Sequence, residues 1–175
     1  MISRRAVVCL CMVLCASSCK RRERPAGLLT EEENPRLASI VHVSDPRTAS
    51  QLLAGFHAIE QNAWRWTQGR FAVMLRTPRK AAERGATLWL KFVVPEAVIQ
   101  KLNTVSLSAY VGGAALPPES YTQSGEFTYS RELPARVLAA ENVRADFSLD
   151  KSVPPSGLDQ RELGVIVTAV GLEAR

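Results

Sequence analysis

A chain of 175 residues carrying 22 Lys and Arg against 17 Asp and Glu has room for one domain and a tether, and its net charge of +5 is small for a nucleic-acid surface. Only two histidines occur, and all four cysteines lie within the first nineteen residues, so the body of the chain has few nucleophiles, bases or metal ligands and no disulfides. A hydrophobic core must supply the stability.

Arg4 and Arg5 precede an apolar run, residues 6–15, of the length of a signal-peptide core. The run is shorter than the ~18 residues of a spanning helix and leads into the charged stretch Lys20-Arg21-Arg22-Glu23-Arg24, which argues against an uncleaved anchor. Cys9, Cys11, Cys15 and Cys19 are spaced closely enough to suggest a metal site, but mostly aliphatic residues separate them and no second cluster completes a zinc site. With Ala16-Ser17-Ser18 ahead of Cys19, the segment resembles the signal peptide of a bacterial lipoprotein. The resemblance implies cleavage before Cys19 and lipid on that residue, which becomes the membrane anchor; Ala16 stands where such signals prefer a large aliphatic residue. It also implies a cell-envelope location facing the periplasm or exterior. Lys20 in place of an aspartate implies the outer membrane if the cell is Gram-negative.

Loss of residues 1–18, which hold two arginines and no acid, would lower the charge from +5 to +3, and nucleic acid is not an expected partner. Lys20, Arg21, Arg22 and Arg24 would then lie beside the lipid, either as a solvated linker or against anionic head groups at about 1 kcal/mol each. Residues 19–44 read as a lipidated tether, punctuated by Pro25, Gly27 and Glu31-Glu32-Glu33-Asn34-Pro35, and residues 45–175 as the domain. Residues 37–43 form the one apolar stretch in the tether and suit a first, peripheral strand.

Further on, short apolar and β-branched runs alternate with turn residues. Strands are expected at 52–57, 70–76, 87–94, 104–111, 125–133, 143–149 and 163–172. Period-2 patterning is clear in Phe71-x-Val73-x-Leu75 and Leu88-x-Leu90-x-Phe92, as in strands with one buried and one wet face. Gly112-Gly113 predicts a tight hairpin, residues 95–102 a short helix opened by proline, and residues 134–140 a further turn. The expected fold class is all-β: an antiparallel, jelly-roll-like sandwich with one or two short helical turns.

Two segments stand out. Gly55-Phe56-His57-Ala58-Ile59-Glu60 followed by Trp64-Arg65-Trp66-Thr67, and Asp159-Gln160-Arg161-Glu162-Leu163-Gly164, resemble a β-sandwich module found in bacterial envelope-glycan and glycosyltransferase-associated proteins. The resemblance covers roughly residues 45–173 and implies an architecture like that of carbohydrate-binding modules. It implies no established activity.

Glu60, Arg65, Asp159 and Arg161 are opposite charges next to apolar residues. One reading pairs them across the ends of the two sheets, because a charge taken from water needs a hydrogen-bonded partner. A second points them into a sugar site. A third makes Glu60 and Asp159 a glycosidase pair, although neighbouring arginines would keep both ionised. Trp64, after the polar Gln61-Asn62-Ala63, is the leading aromatic ligand contact; Trp66 and Trp89 are expected in the core, and Tyr110 and Tyr121 beside the glycine hairpin are weaker candidates. His57 reads as a strand histidine with a satisfied ring. The candidate ligand-binding set is therefore Trp64, Glu60, Arg65 and Arg161, with no catalytic residue, metal or cofactor. The function expected is a non-catalytic, lipid-anchored envelope protein that binds a glycan or associates with envelope-polysaccharide machinery. The alternative is a structural module docking a protein partner through a sheet edge or apolar face.

Overall fold

The computed structural model describes residues 37–157 and 159–175. Cys19, the signal segment and the tether up to residue 36 lie outside the described residues. The described part is an all-β antiparallel sandwich, as the alternating runs predict. Its strands are β1 (Ile40–His42), β2 (Leu52–Glu60), β3 (Trp64–Arg76), β4 (Ala86–Val94), β5 (Val105–Val111), β6 (Ala114–Tyr121), β7 (Gly125–Leu133), β8 (Asn142–Leu149) and β9 (Ile166–Ala174). Two short helices, α1 (Ala81–Arg84) and α2 (Glu96–Leu102), cap connections.

The strands follow one hydrogen-bonded path, β6-β5-β8-β3-β9-β4-β7, with β2 added to β3 and β1 to β9. The path folds into two layers because β3 changes partner along its length. Arg70–Arg76 of β3 pair with β8, whereas Arg65 and Trp66 pair with β9. One layer is therefore β6-β5-β8-β3 extended by the start of β2, and the other is the N-terminal part of β3 followed by β9, β4 and β7. Side chains of both layers form a single core, including Phe71, Leu75, Leu90, Phe92, Tyr129, Phe147 and Val170. Phe147 stacks on Phe71 at 5.0 Å, and Phe56 meets Phe71 edge-on at 5.4 Å.

Several elements extend the sequence reading. The peripheral strand expected within residues 37–43 is β1, and Val41 and Val43 are fully buried. Gly112 and Gly113, at φ 54° and 90°, turn the β5–β6 hairpin, with Val111 opposite Ala114. The helix predicted at 95–102 is α2, and the turn after Pro134 is a 3-10 turn at Ala135–Val137. β6 was not anticipated, because Pro117 and Pro118 interrupt its pattern. It lies at the sheet edge, where a missing N–H is tolerated, and its register shifts between Leu107 and Ala109. The carbonyls of Pro117 and Pro118 accept hydrogen bonds from Tyr129 and Arg131 of β7, closing this side of the sandwich.

Candidate functional site

The two segments singled out in the sequence meet in space. The Arg161 guanidinium donates to Glu60 at 2.7 Å and to Asp159 at 2.9 and 3.0 Å. The Arg161 fork and backbone N–H hold the Asp159 carboxyl down at about 2. Thr67 Oγ1 donates to the Val165 carbonyl and accepts the Val165 N–H, and the Gly164 N–H donates to the Thr67 carbonyl. His57 Nε2 donates to the Glu162 carbonyl at 2.7 Å, so its ring is satisfied as expected. Glu162 accepts from the Ser152 hydroxyl and the Gly69 N–H, which lower its pKa. These contacts stitch the β2–β3 hairpin to the segment entering β9.

This joint pairs charges as the structural reading expects, with one departure. Arg65 binds no carboxylate: its guanidinium donates to the carbonyls of Val43 and His57. Pairing with peptide oxygens satisfies it without a countercharge, because the β2–β3 register carries it past two open carbonyls. Glu60 and Asp159 share Arg161 between them, so no open cleft separates two carboxylates as glycosidase chemistry requires. Trp64 is half-buried at the hairpin end, opposite Glu60. Trp66 packs against the core as expected. Trp89 does not enter it. Alternation along β4 buries Leu88 and Leu90, so the Trp89 indole lies outside across Gly171, where an added Cβ would sit 2.6 Å from the ring, and its N–H donates to Glu173. Tyr121 is also unlike its expectation: it is buried, and burial pushes its phenol up.

A different surface has the shape of a binding site. On the outer face of the β6-β5-β8-β3-β2 layer lies a groove of about 390 Å³. Strand pairing explains it. Ala115, Tyr110, Asp146, Ala72 and Ala54 lie opposite one another in successive strands, and Ser108, Ser148 and Arg70 form the adjacent row. Neighbouring strands are about 4.8 Å apart, so five small or short side chains side by side leave a trough across the sheet.

Its borders are polar and aromatic. Tyr110 is 51% exposed, pointing outward because Ala109 and Val111 point in. Arg144 and Asp146, two apart on β8 and therefore on one face, form an ion pair at 2.7 Å. The Ser108 hydroxyl donates to the Ser148 carbonyl. Phe71, Ala109 and Phe147 lie beneath, so the floor rests directly on the core. A tyrosine ring beside a planar carboxylate–guanidinium pair and two hydroxyls can take the apolar face of a flat, hydroxyl-rich molecule and bond its rim. None of Glu60, Trp64, Arg65 and Arg161 lines this groove. The sequence flagged Tyr110 but missed Arg70, Ser108, Arg144, Asp146 and Ser148. Alternation places each of these on an outward face, yet only the pairing register shows that they coincide.

No family model and no curated protein matches the chain. Among solved structures it is similar to the CBM36-1 domain of a multidomain xylanase from the hindgut metagenome of Trinervitermes trinervoides, at TM-score 0.46 and 12% identity, covering 78% of this chain and 96% of that one. It is also similar to a family 35 carbohydrate binding module from Clostridium thermocellum (TM-score 0.43, 12% identity, 77% and 98% covered). A third is a carbohydrate-binding module, CBM36, in complex with calcium and xylotriose (TM-score 0.42, 8% identity, 77% and 98% covered). At these identities the likeness is one of fold.

Proposed function

We propose that this protein is a non-catalytic, lipid-anchored component of a bacterial cell envelope whose sandwich binds a glycan in the groove of the β6-β5-β8-β3-β2 layer. The observation that carries the reading is the composition of that groove: Tyr110 exposed above a floor of alanines and serines, next to the Arg144–Asp146 pair. Sugars offer apolar C–H faces for the ring and vicinal hydroxyls for the planar charged pair, and recognition of this kind needs no acid, base or nucleophile. Docking of a protein strand is less well supported at the β6 edge. Its prolines lack N–H groups there, and the Pro117 and Pro118 carbonyls are already bonded.

A glycan array probed with the full protein tests the site. Binding is expected to one class of envelope glycan, with Tyr110→Ala and Asp146→Ala each weakening it about tenfold or more, as for a central aromatic or charged contact. No binding to any glycan, or binding indifferent to both substitutions, would sink the assignment. Anchoring is a separate question, answered by fractionation: wild-type protein should sediment with membranes and Cys19→Ser should appear in the soluble fraction. Retention of the variant would remove Cys19 as the anchor.

A further inference from the structure

Resting on the groove as the glycan site, we infer that its ligand is an acidic oligosaccharide, with a carboxylate bound by Arg70 on a different sugar residue from the one stacked on Tyr110. Arg70 is exposed and lines both the groove and an adjoining hollow of about 440 Å³ that includes Gln68, Lys151 and Ser152. The two form one continuous surface with Arg70 at the junction.

Every acid bordering that surface is already engaged. Asp146 is closed on Arg144, Asp150 accepts the Ser106 N–H at 2.6 Å, and Glu162 accepts from Ser152 and Gly69. Arg70, by contrast, has no ion pair and no side-chain hydrogen bond among the described residues. Two arginines against one aspartate leave the groove lining with one positive charge, and it belongs to Arg70. A neutral sugar lying over this residue would strip water from a guanidinium and return no countercharge, which is unfavourable. A carboxylate matches its planar fork with two parallel hydrogen bonds.

Register supplies the spacing. Tyr110 faces Asp146, Asp146 faces Ala72, and Arg70 is two residues from Ala72 on the same face. Two strand spacings and two residues put the Cα atoms of Tyr110 and Arg70 roughly 12 Å apart, further than one pyranose ring extends. The ligand is therefore an oligomer.

Calorimetry with the full protein decides this, using oligogalacturonate and oligomannuronate, each as free acid and as its neutral methyl ester, and a heparin-derived oligosaccharide as the sulfated comparison. The free acid of at least one pair should bind about tenfold tighter than its ester at low salt, and the ratio should shrink as salt is raised. Arg70→Gln, whose melting should match the wild type because the residue is exposed and unpaired, should bring that ratio to about one. Esters bound as tightly as acids, a preference that persists in Arg70→Gln, or preference for the sulfated chain over both uronates would overturn the inference. If the array finds a neutral glycan in the groove while both uronates fail, the inference falls and the groove stands. If no glycan binds at all, both fall.

Discussion

Gly55→Ala should destabilise the sandwich by on the order of 3–5 kcal/mol, much of the roughly 5–15 kcal/mol that holds an ordinary domain together. Gly55 sits in β2 at φ 74°, where the register with β3 shifts between Ala54 and Phe56. A left-handed backbone alone costs a side-chain-bearing residue about 1–2 kcal/mol. The larger part is contact: an added Cβ would lie 2.0 Å from the Arg70 carbonyl oxygen and 2.7 Å from the Phe71 Cα. Those are backbone atoms of β3, paired on their other side with Ser148 and Phe147 of β8, so they cannot retreat without breaking the sheet. Gly113→Ala separates the two effects. Gly113 has φ 90° but no atom nearer than 4.0 Å to its added Cβ, so that variant should lose about 1–2 kcal/mol, from strain only. Urea midpoints for both variants check the argument. Equal losses, or a Gly55→Ala protein as stable as the wild type, would show that the close approach of β2 to β3 is misread.

Phe147→Ala is the second large effect, about 3–5 kcal/mol by the usual cost of deleting a buried ring. Phe147 is 2% exposed, stacks on Phe71 at 5.0 Å, and stands opposite both Ala109 of β5 and Phe71 of β3. Removing it leaves a cavity under the middle of one layer. Its neighbours in sequence, Asp146 and Ser148, are groove residues on the opposite face, so the cavity also loosens the floor on which ligand would rest. Thermal melting should fall sharply, and any glycan identified for the wild type should bind more weakly even where the variant remains folded. Phe147→Leu, which keeps most of the volume, should lie between. Full stability in Phe147→Ala would mean that the Phe71–Phe147 stack is not part of the core.

How much was legible in advance depended on whether information was local. Period-2 alternation at Phe71-x-Val73-x-Leu75 and Leu88-x-Leu90-x-Phe92 reports burial directly, and those residues are the core. The same alternation turns Tyr110 outward. It could not place Trp89, because aromatic bulk suggested burial while the outward slot over Gly171 decided otherwise. β6 was hidden by Pro117 and Pro118, whose acceptance depends on the strand being at an edge. The first part of β3 was missed because residues 64–69 carry polar side chains, and their pairing with β2 and β9 comes from chain segments far apart in sequence.

The candidate site shows the same division. Glu60, Asp159 and Arg161 were recognisable as charges needing partners, and two of the three are separated by 101 residues in sequence yet bonded. Arg65 had the same signature and found carbonyls, since a guanidinium accepts either partner and only geometry selects.

By itself, the sequence determined a hydrophobic core without disulfides, the layered β class, the glycine hairpin, and the expectation of a lipid on Cys19, because composition, alternation and turn chemistry act within a few residues. Tertiary structure alone decided the groove. Alanine and serine are unremarkable in any one strand, and become a trough only when five strands align their smallest outward side chains. The same alignment leaves Arg70 without a partner while Arg144 closes on Asp146.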